Sequence, residues 1–282
     1  MTEFASLTKR HIKIFLRDKV SVFFSFLSVI ILLFVYLIFL GKMFGNMEGL
    51  SEAQNSLFSL GYIIGGVLVV SSLTLPLGVI GTFVTDLETR RINGFLVTPI
   101  KRYKLILSYY AATALITIFF VLIELVMACL YIGLSTGIWQ SFINYLAMGG
   151  VAIVYVLISS PIVVFLVSFI KSSNSFGALS SIIGTLIGFI SGIYIPLYVL
   201  DSFTRSLASL LPFSHMTIFL RRLLIGENLL STMPTEALEQ AGVQYLQIFG
   251  LEVNIFIVLS VFLVVSVSLL AGAYHNMNKK AK

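Results

Sequence analysis

The sequence of residues 57–84 is LFSLGYIIGGVLVVSSLTLPLGVIGTFV, and this run contains no charged residue. The run stops abruptly, because residues 85–104 read TDLETRRINGFLVTPIKRYK and carry both acids and bases. A helix needs about 20 predominantly apolar residues to cross the roughly 30 Å hydrocarbon core of a bilayer. We therefore predict a membrane-spanning helix that ends in a polar segment outside the bilayer.

The composition extends this prediction to the whole chain. Hydrophobic residues make up 58% of the 282 residues, charged residues only 11%, and the mean hydropathy is +1.04. Soluble domains average about 25% charged residues. The predicted fold class is an all-α membrane protein with six transmembrane helices. The predicted spans are residues 20–40, 57–84, 105–132, 142–170, 176–200 and 251–273.

Lys and Arg cluster in alternate connections of this plan. They are concentrated in residues 9–19 and 90–104, at Lys171 and in residues 279–282. By the positive-inside rule these segments are cytoplasmic, and so are both termini. The net charge of +6 reports this topology, so no nucleic-acid partner is expected. The expected location is a bacterial cell membrane.

Residues 1–19 form a predicted amphipathic helix that lies in the inner membrane interface. We expect its apolar face in the acyl boundary and its basic face toward headgroups and cytosol, so that membrane lipids are one partner. It is either a simple topology anchor or a contact for another protein. Residues 20–273 are then the six-helix membrane domain, and residues 274–282 are a basic cytosolic tail. The apolar arc consists of Phe4, Leu7, Ile12, Ile14, Phe15 and Leu16, and the basic arc of Lys9, Arg10, Lys13 and Arg17.

Two capping patterns lie in the polar segment after the second span. Thr85 followed by Glu88 has the spacing of a capping box. Thr98 before Pro99 has the pattern of an N-cap followed by proline in the first helical turn. Together they predict a short helix over residues 86–98. A solvated cytosolic loop without any further role would carry the same caps.

Residues 192–226 are apolar but are broken by Pro196 and Pro212. We predict a pair of short re-entrant or interfacial helices near the outer leaflet, since irregular backbone at membrane depth must be buried in protein or line a water-filled path. Arg221 and Arg222 either contact lipid phosphates and shape an exit, or extend to the interface as ordinary basic residues.

Glu124 is an ionisable residue well inside the third predicted span. A carboxylate there costs about 2.5–3.5 kcal/mol even on the lenient insertion scale. Glu124 therefore either forms a structural hydrogen bond to a neighbouring helix or makes a substrate or proton-coupled contact.

Small residues recur at four-residue spacing in two spans. Such a stripe lets another helix approach closely, either within the chain or from a partner. The stripes are Ser180, Gly184, Gly188 and Gly192 in the fifth span and Gly61 and Gly65 in the second.

Residues 87–102, LETRRINGFLVTPIKR, resemble the signature of type-2 ATP-binding-cassette (ABC) exporter permeases. That signature has an acid, a glycine, apolar residues, then Thr or Ser before Pro and a base, between the second and third spans. The likeness extends to an N-terminal interfacial helix ending in Arg17-Asp18, six spans with both ends inside, and an apolar outer excursion. The excursion contains SGIYIPL at 191–197, LLPF at 210–213 and LRR at 220–222.

The resemblance implies a permease half that pairs with a second permease half, as a homodimer or heterodimer, and with two copies of a cytosolic ABC ATPase subunit. The chain itself is then not an enzyme and has no catalytic residue, metal or cofactor. ATP and magnesium bind to the partner, since the sequence has no G-x-x-x-x-G-K-[ST] motif. Residues 86–98 would be the coupling helix, seated in a groove of the ATPase. The implied ATPase contacts are Asp86, Glu88, Arg90, Arg91, Phe95 and Leu96.

In this family the second and fifth spans face the partner half and line the path. The coupling pattern resembles the drug, lipid and peptide exporter branch, which implies that a hydrophobic or amphipathic substrate moves outward by alternating access. A polysaccharide or teichoic-acid exporter is the alternative. An ATP-independent secondary transporter is less favoured, because we find no convincing repeat between the two halves. The candidates for the path or gate are Ser71, Thr74, Glu124, Thr185, Gly188, Gly192 and Pro196.

Overall fold

The computed structural model describes residues 2–23, 27, 30, 34, 50–98, 100–234, 238–239, 242–244, 247–248, 251–252 and 254–280. These residues are helical apart from turns, loops and one antiparallel pair of two-residue strands. The helices are α1 (Thr2–Arg17), α2 (Glu52–Glu88), α3 (Arg91–Leu96), α4 (Arg102–Thr136), α5 (Phe142–Val167), α6 (Ser173–Ile190), α7 (Ser202–Ser209), α8 (Pro212–Ile225), α9 (Glu227–Leu230) and α10 (Ile255–Lys280). A 3-10 turn at Leu197–Val199 precedes α7, and strands β1 (Gln247–Ile248) and β2 (Leu251–Glu252) precede α10.

Five helices among the described residues are long and apolar enough to cross a membrane: α2, α4, α5, α6 and α10. They correspond to the second to sixth predicted spans, and the all-α prediction is confirmed. The predicted first span, residues 20–40, lies largely outside the described residues. The last span starts later than predicted, because residues 251–252 form β2 and the Asn254 side chain accepts the N–H of Phe256 at the start of α10.

Helix α2 occupies the centre of the bundle. In the most apolar 18-residue stretch of α2, 89% of the residues are buried inside the protein, whereas the corresponding share in α6 is only 11%. Helices α1, α4, α5, α6 and α8 all pack against α2. With 37 residues at about 1.5 Å each, α2 is longer than the hydrocarbon core of a bilayer, so at least one of its ends reaches beyond the core.

The bundle has two distinct ends. The basic end consists of α1, the end of α2, α3, and the beginnings of α4 and α6, which contact each other through side chains. The opposite end consists of the beginning of α2, the 3-10 turn and α7 to α9. Residues 192–226 contain the expected pair of short helices, α7 and α8. Asp201 caps α7 by accepting two backbone N–H groups, and α8 begins at Pro212. Their depth in a bilayer stays a prediction.

Candidate functional site

Asp86, in the last turn of α2, is the centre of a buried polar cluster at the basic end. The residue is only 3% exposed. Arg10 of α1 donates from Nη1 to Asp86 Oδ2 at 2.9 Å, and the Tyr109 hydroxyl of α4 donates to the same oxygen at 2.7 Å. Arg91 of α3 adds a second cation, 3.8 Å from Oδ1. One carboxylate thus joins four helices, and we call Arg10, Asp86, Arg91 and Tyr109 the Asp86 cluster.

His11 extends this cluster as a neutral ring. Its Nε2 lies 3.1 Å from Ser108 Oγ, and its ring stacks on Tyr109 with centroids 3.7 Å apart. The Ser108 hydroxyl donates to the Leu105 carbonyl, so His11 Nε2–H is the donor to Ser108 and Nδ1 accepts from Arg10. Burial, and then the positive charge of Arg10, lower the pKa of His11 to about 4. The ring is therefore uncharged at neutral pH.

Helix α1 is docked onto the bundle by part of the face that we predicted for the acyl boundary. Leu7 is buried in the main core, and Phe15 is buried in a smaller cluster against α2 and α4. Arg10, which we predicted on the cytosolic face, contacts Asp86 instead. Lys9 and Lys13 stay exposed as predicted. The buried Asp86 carboxylate needs a nearby cation, and its ion pair with Arg10 helps to hold α1 against the bundle.

The short helix α3 lies against the Asp86 cluster. Its Ile92 is 4% exposed, and the Arg10 guanidinium lies over the Phe95 ring, 4.9 Å from the centroid. Arg90 joins α2 to α3 with a φ of 57°, and it is the only non-glycine with positive φ among the described residues. A left-handed backbone costs roughly 1–2 kcal/mol for such a residue. The contacts of Ile92 and Phe95 offset this cost.

The predicted helix over 86–98 has different limits, since its first three residues belong to α2 and only Arg91–Leu96 form α3. The capping box at Thr85 is wrong: Thr85 lies within α2, and its hydroxyl donates to the carbonyl four residues earlier. The N-cap at Thr98 is also wrong, because that hydroxyl donates to the carbonyl three residues earlier and α4 begins beyond it. The backbone of α2 continues hydrogen bonding past the apolar run, which the capping patterns did not indicate.

Glu88, the last residue of α2, contacts the beginning of α6. The backbone N–H of Ser173 lies 3.2 Å from Glu88 Oε2, and the Ser173 hydroxyl donates to the same oxygen. The unpaired N–H groups and the dipole at a helix N-terminus favour a negative charge there. Glu88 therefore joins two spans while its side chain remains exposed.

The outward face of α3 and its flanks is open. Val97 is 87% exposed, and a Cβ added at Gly94 would meet nothing within 4 Å. Phe95 is half-buried, and the side chain of Leu96 lies outside the described part of the chain. The exposed residues of this face are Arg90, Arg91, Asn93, Gly94 and Val97.

A groove of about 650 Å³ lies beside the Asp86 cluster, between α1, α2 and α6. Its walls combine apolar side chains with hydroxyls, and Arg91 and Asp18 also line it. The Ser180 hydroxyl in the wall is buried and has no hydrogen-bond partner among the described residues. Further lining residues are Phe15, Thr74, Leu77 and Phe176.

The structure separates the predicted path residues. Thr74 lines the groove, whereas Ser71, about one turn earlier on α2, faces Glu124 of α4. Both carboxylate oxygens of Glu124 are buried without a hydrogen-bond partner among the described residues. Thr185 lies on the exposed face of α6.

The remaining path candidates, Gly188, Gly192 and Pro196, lie toward the opposite end. A Cβ at Gly188 would come within 2.0 Å of the Tyr194 ring, so this glycine accommodates the loop that follows α6. Gly192 has a φ of +71°, which a glycine adopts without strain, and Pro196 is buried. A Cβ at Gly184 of the same stripe would meet nothing within 4 Å.

Arg221 of α8 is buried at the opposite end, contrary to both predicted surface roles. The residue is 2% exposed. Its Nε donates to the Tyr62 carbonyl at 2.7 Å, and its two terminal nitrogens donate to the carbonyls of Gly192 and Gly242 at 3.1 and 3.2 Å. Its guanidinium also stacks on the Tyr62 ring, 3.5 Å from the centroid. We call this set the Arg221 cluster.

Arg222 is partly buried, with a side chain that is 15% exposed; it binds Glu227 and donates to the Val243 carbonyl at 3.1 Å. The Arg221 cluster is close-packed because Gly65 of α2 leaves space for α8. A Cβ at Gly65 would lie 2.9 Å from the Arg221 backbone nitrogen, and one at Gly61 would lie 2.6 Å from Ile225. The second-span stripe thus serves packing within the chain.

The sequence prediction missed Arg10, His11 and Tyr109 as members of a site. A usable signal was present: Asp86 directly follows an apolar run, and a carboxylate at that position needs a nearby cation or donor. Three positively charged segments were candidates for that cation, so sequence alone did not identify Arg10.

Two comparisons with known proteins bear on the chain. A family model described as ABC-2 type transporter matches residues 2–225, a range that includes every member of the Asp86 cluster. No curated protein matches the chain.

Proposed function

Since this chain belongs to the ABC-2 type transporter family and is an ABC transporter permease, we propose that it exports a hydrophobic or amphipathic substrate by alternating access, driven by a separate ATPase. The ATPase, with its ATP and magnesium, is expected as two copies on the cytosolic side. The observation that carries this proposal is the Asp86 cluster. It connects the exposed helix α3 to α1, α2 and α4 through one buried carboxylate.

The exposed face of α3 is the proposed docking surface for the ATPase. Arg90 and Arg91 supply charge, and Phe95 and Leu96 supply apolar surface. A displacement of α3 would act on α1 through the Phe95–Arg10 contact and on α2 and α4 through Asp86. Asp86 is therefore reassigned from a direct ATPase contact to a residue that transmits movement, and Glu88 transmits it to α6.

The basic end is proposed to face the cytosol of a bacterial cell. The exposed bases of α1, the α2–α4 connection and Lys171 all lie at this end. This distribution follows the positive-inside rule. With this orientation, the ATPase surface and the groove would lie in the same compartment and the Arg221 cluster toward the outer face.

The exposed face of α6 supports a second permease half. Only 11% of its apolar window is buried, and the exposed residues include Ser181 and Thr185. Polar and small residues in a span favour contact with another helix or a water-filled path over contact with lipid. A homodimer or heterodimer would cover this face.

The groove supports the substrate class. Phe15, Leu77 and Phe176 offer apolar surface, while Thr74 and Ser180 offer hydroxyls and Arg91 a charge. Such a lining suits a molecule with an apolar part and a polar head. A polysaccharide would instead need mostly polar contacts.

The proposal is tested by purifying the tagged chain from its native membrane and assaying the bound ATPase. We expect a Walker-motif ATPase to co-purify and to be lost with the Arg90→Glu/Arg91→Glu variant, because both exposed bases are reversed. Lys171→Glu reverses an exposed base of the same end away from α3 and is the matched control. ATP-independent transport by the chain alone would refute the proposal.

A further inference from the structure

Glu124 and Ser71 form an isolated polar pair inside the bundle. Both oxygens of Glu124 and the Ser71 hydroxyl are buried, and none has a hydrogen-bond partner that meets normal geometry among the described residues. The hydroxyl nevertheless approaches the carboxyl group. The two residues lie at matching depth: Glu124 is fifteen residues after Tyr109 on α4, and Ser71 is fifteen residues before Asp86 on the antiparallel α2.

The Ser71 hydroxyl, like that of Thr117, makes no hydrogen bond within its helix, in contrast to the hydroxyls of Ser72 and Thr113. The Ser72 hydroxyl donates to the Val69 carbonyl at 2.7 Å, and the Thr113 hydroxyl donates to the Tyr109 carbonyl at 2.8 Å. Such bonds to the preceding turn are the usual way to satisfy a hydroxyl within a helix. Ser71 makes no such bond, so its hydroxyl is available to Glu124.

Among the described residues, no cation lies beside Glu124 to balance an ionised carboxylate. Helix α5 contains no charged residue, and the charged residues of α2 and α10 lie near the ends of those helices. The charged residues of α1 lie at the basic end, about fifteen residues along α4 from Glu124. An unpaired carboxylate is costly in hydrocarbon, so the charged form is disfavoured.

The described residues around Glu124 also do not supply the ligands that a larger cation needs. A metal ion needs about six oxygen ligands, whereas the backbone carbonyls of both helices are used in their own hydrogen bonds. A cationic substrate would need an opening, but the carboxylate is sealed and does not line the groove. A proton requires neither ligands nor space.

We propose that Glu124 is a proton-binding site: its carboxyl group is neutral and donates a hydrogen bond to Ser71 Oγ across the α2–α4 contact. The proton stays bound while the two helices remain packed. Separation of α2 from α4 at this depth would admit water and release the proton. This property is independent of the ATPase and of the transported substrate.

Infrared spectroscopy of the full chain in lipid vesicles at neutral pH tests the proposal. The exposed acids are ionised there, so wild-type protein must show the C=O stretch of a protonated carboxyl group. The band is expected to disappear in Glu124→Gln and to shift to higher wavenumber in Ser71→Ala, because the acceptor is lost. Glu52→Gln, which replaces an exposed acid, should remove carboxylate bands only.

Three results would overturn the proposal. The first is wild-type protein without the protonated band, a measurement that needs no variant and is unaffected by folding defects. The second is a wild-type minus Glu124→Gln difference that contains carboxylate bands alone. The third is an unshifted band in Ser71→Ala, which would remove Ser71 as the acceptor.

Discussion

The two ends of α2 are held by different hydrogen-bond acceptors, although a guanidinium lies over an aromatic ring at each end. At the basic end, the acceptor is the Asp86 carboxylate, which binds Arg10 and Tyr109. At the opposite end, Arg221 donates to backbone carbonyls and packs against Gly65. The Arg10 side chain is 29% exposed, whereas Arg221 as a residue is only 2% exposed.

This difference indicates which end is able to rearrange. A partly exposed side chain can exchange its partner for water at modest cost, but a fully buried guanidinium cannot. The strained linker Arg90 also lies at the basic end. We infer that α3 moves with respect to the bundle, while α8 and the start of α2 move together.

The largest effect is expected for Arg221→Ala. Three carbonyls would lose the Arg221 donor, although Gly192 O keeps the Tyr62 hydroxyl and the bond to Gly242 is only part-buried. At roughly 1–3 kcal/mol for a buried group left without its donor, the free energy of unfolding should fall by about 3 kcal/mol. Thermal unfolding in detergent measures the loss. Arg222→Ala is the control, since its ion pair with exposed Glu227 and its hydrogen bond to the Val243 carbonyl should together contribute only about 2 kcal/mol. Equal losses for the two variants would contradict the role of Arg221.

Gly65→Ala should have the next largest effect. Its Cβ would lie 2.9 Å from the Arg221 backbone nitrogen, so α8 must shift at a cost of about 2 kcal/mol. Gly94→Ala is the matched change at the basic end, where nothing lies within 4 Å. It should leave unfolding unchanged or raise the stability by up to about 1 kcal/mol. A stability loss at Gly94 as large as at Gly65 would break the contrast between the two ends.

Asp86→Asn should lower the free energy of unfolding by about 1.5 kcal/mol. This is the low end of the range for hydrogen bonds to a charged group, and we expect the low end because Arg10 can turn toward water in the variant. Coupling should suffer more than folding, so the ATPase would stay bound but lose its response to substrate. Asp18→Asn, at an exposed acid, is the control for unfolding. Full coupling in a folded Asp86→Asn variant would show that α3 communicates by another route.

The smallest expected effect is the pH dependence contributed by His11. Its pKa is about 4 in the folded protein and has an ordinary value of 6.5 in the unfolded chain. Between these values only the unfolded state binds the proton, so stability falls as the pH decreases through this window. The loss should reach about 1.4 kcal/mol near pH 5.5. The free energy of unfolding, measured between pH 4 and 6.5, should depend less steeply on pH in His11→Gln than in the wild type. An equal pH dependence in the two proteins would contradict the role of His11.

Much of the candidate site followed from the sequence, but its internal contacts did not. The position of α3 between two spans was predicted from residues 85–104, although the caps at Thr85 and Thr98 were wrong. Local patterns describe only neighbouring residues, and Asp86 takes its partners from residues 76 positions earlier and 23 positions later. Arg221 was assigned to the surface because an arginine near a span end is usually exposed. Its sequence neighbours did not indicate the distant carbonyls to which it donates.

The sequence by itself determined that the chain is a helical membrane protein, where five of its spans lie, and which segments carry positive charge. These properties depend on the transfer of side chains from water to hydrocarbon, which is nearly additive along the chain. Only the tertiary structure decided that Arg10 neutralises Asp86, that Arg221 is buried among carbonyls, and that Glu124 faces Ser71. Each of these depends on which helices are neighbours and at what rotation, because a buried polar group is satisfied only by a partner within about 3 Å.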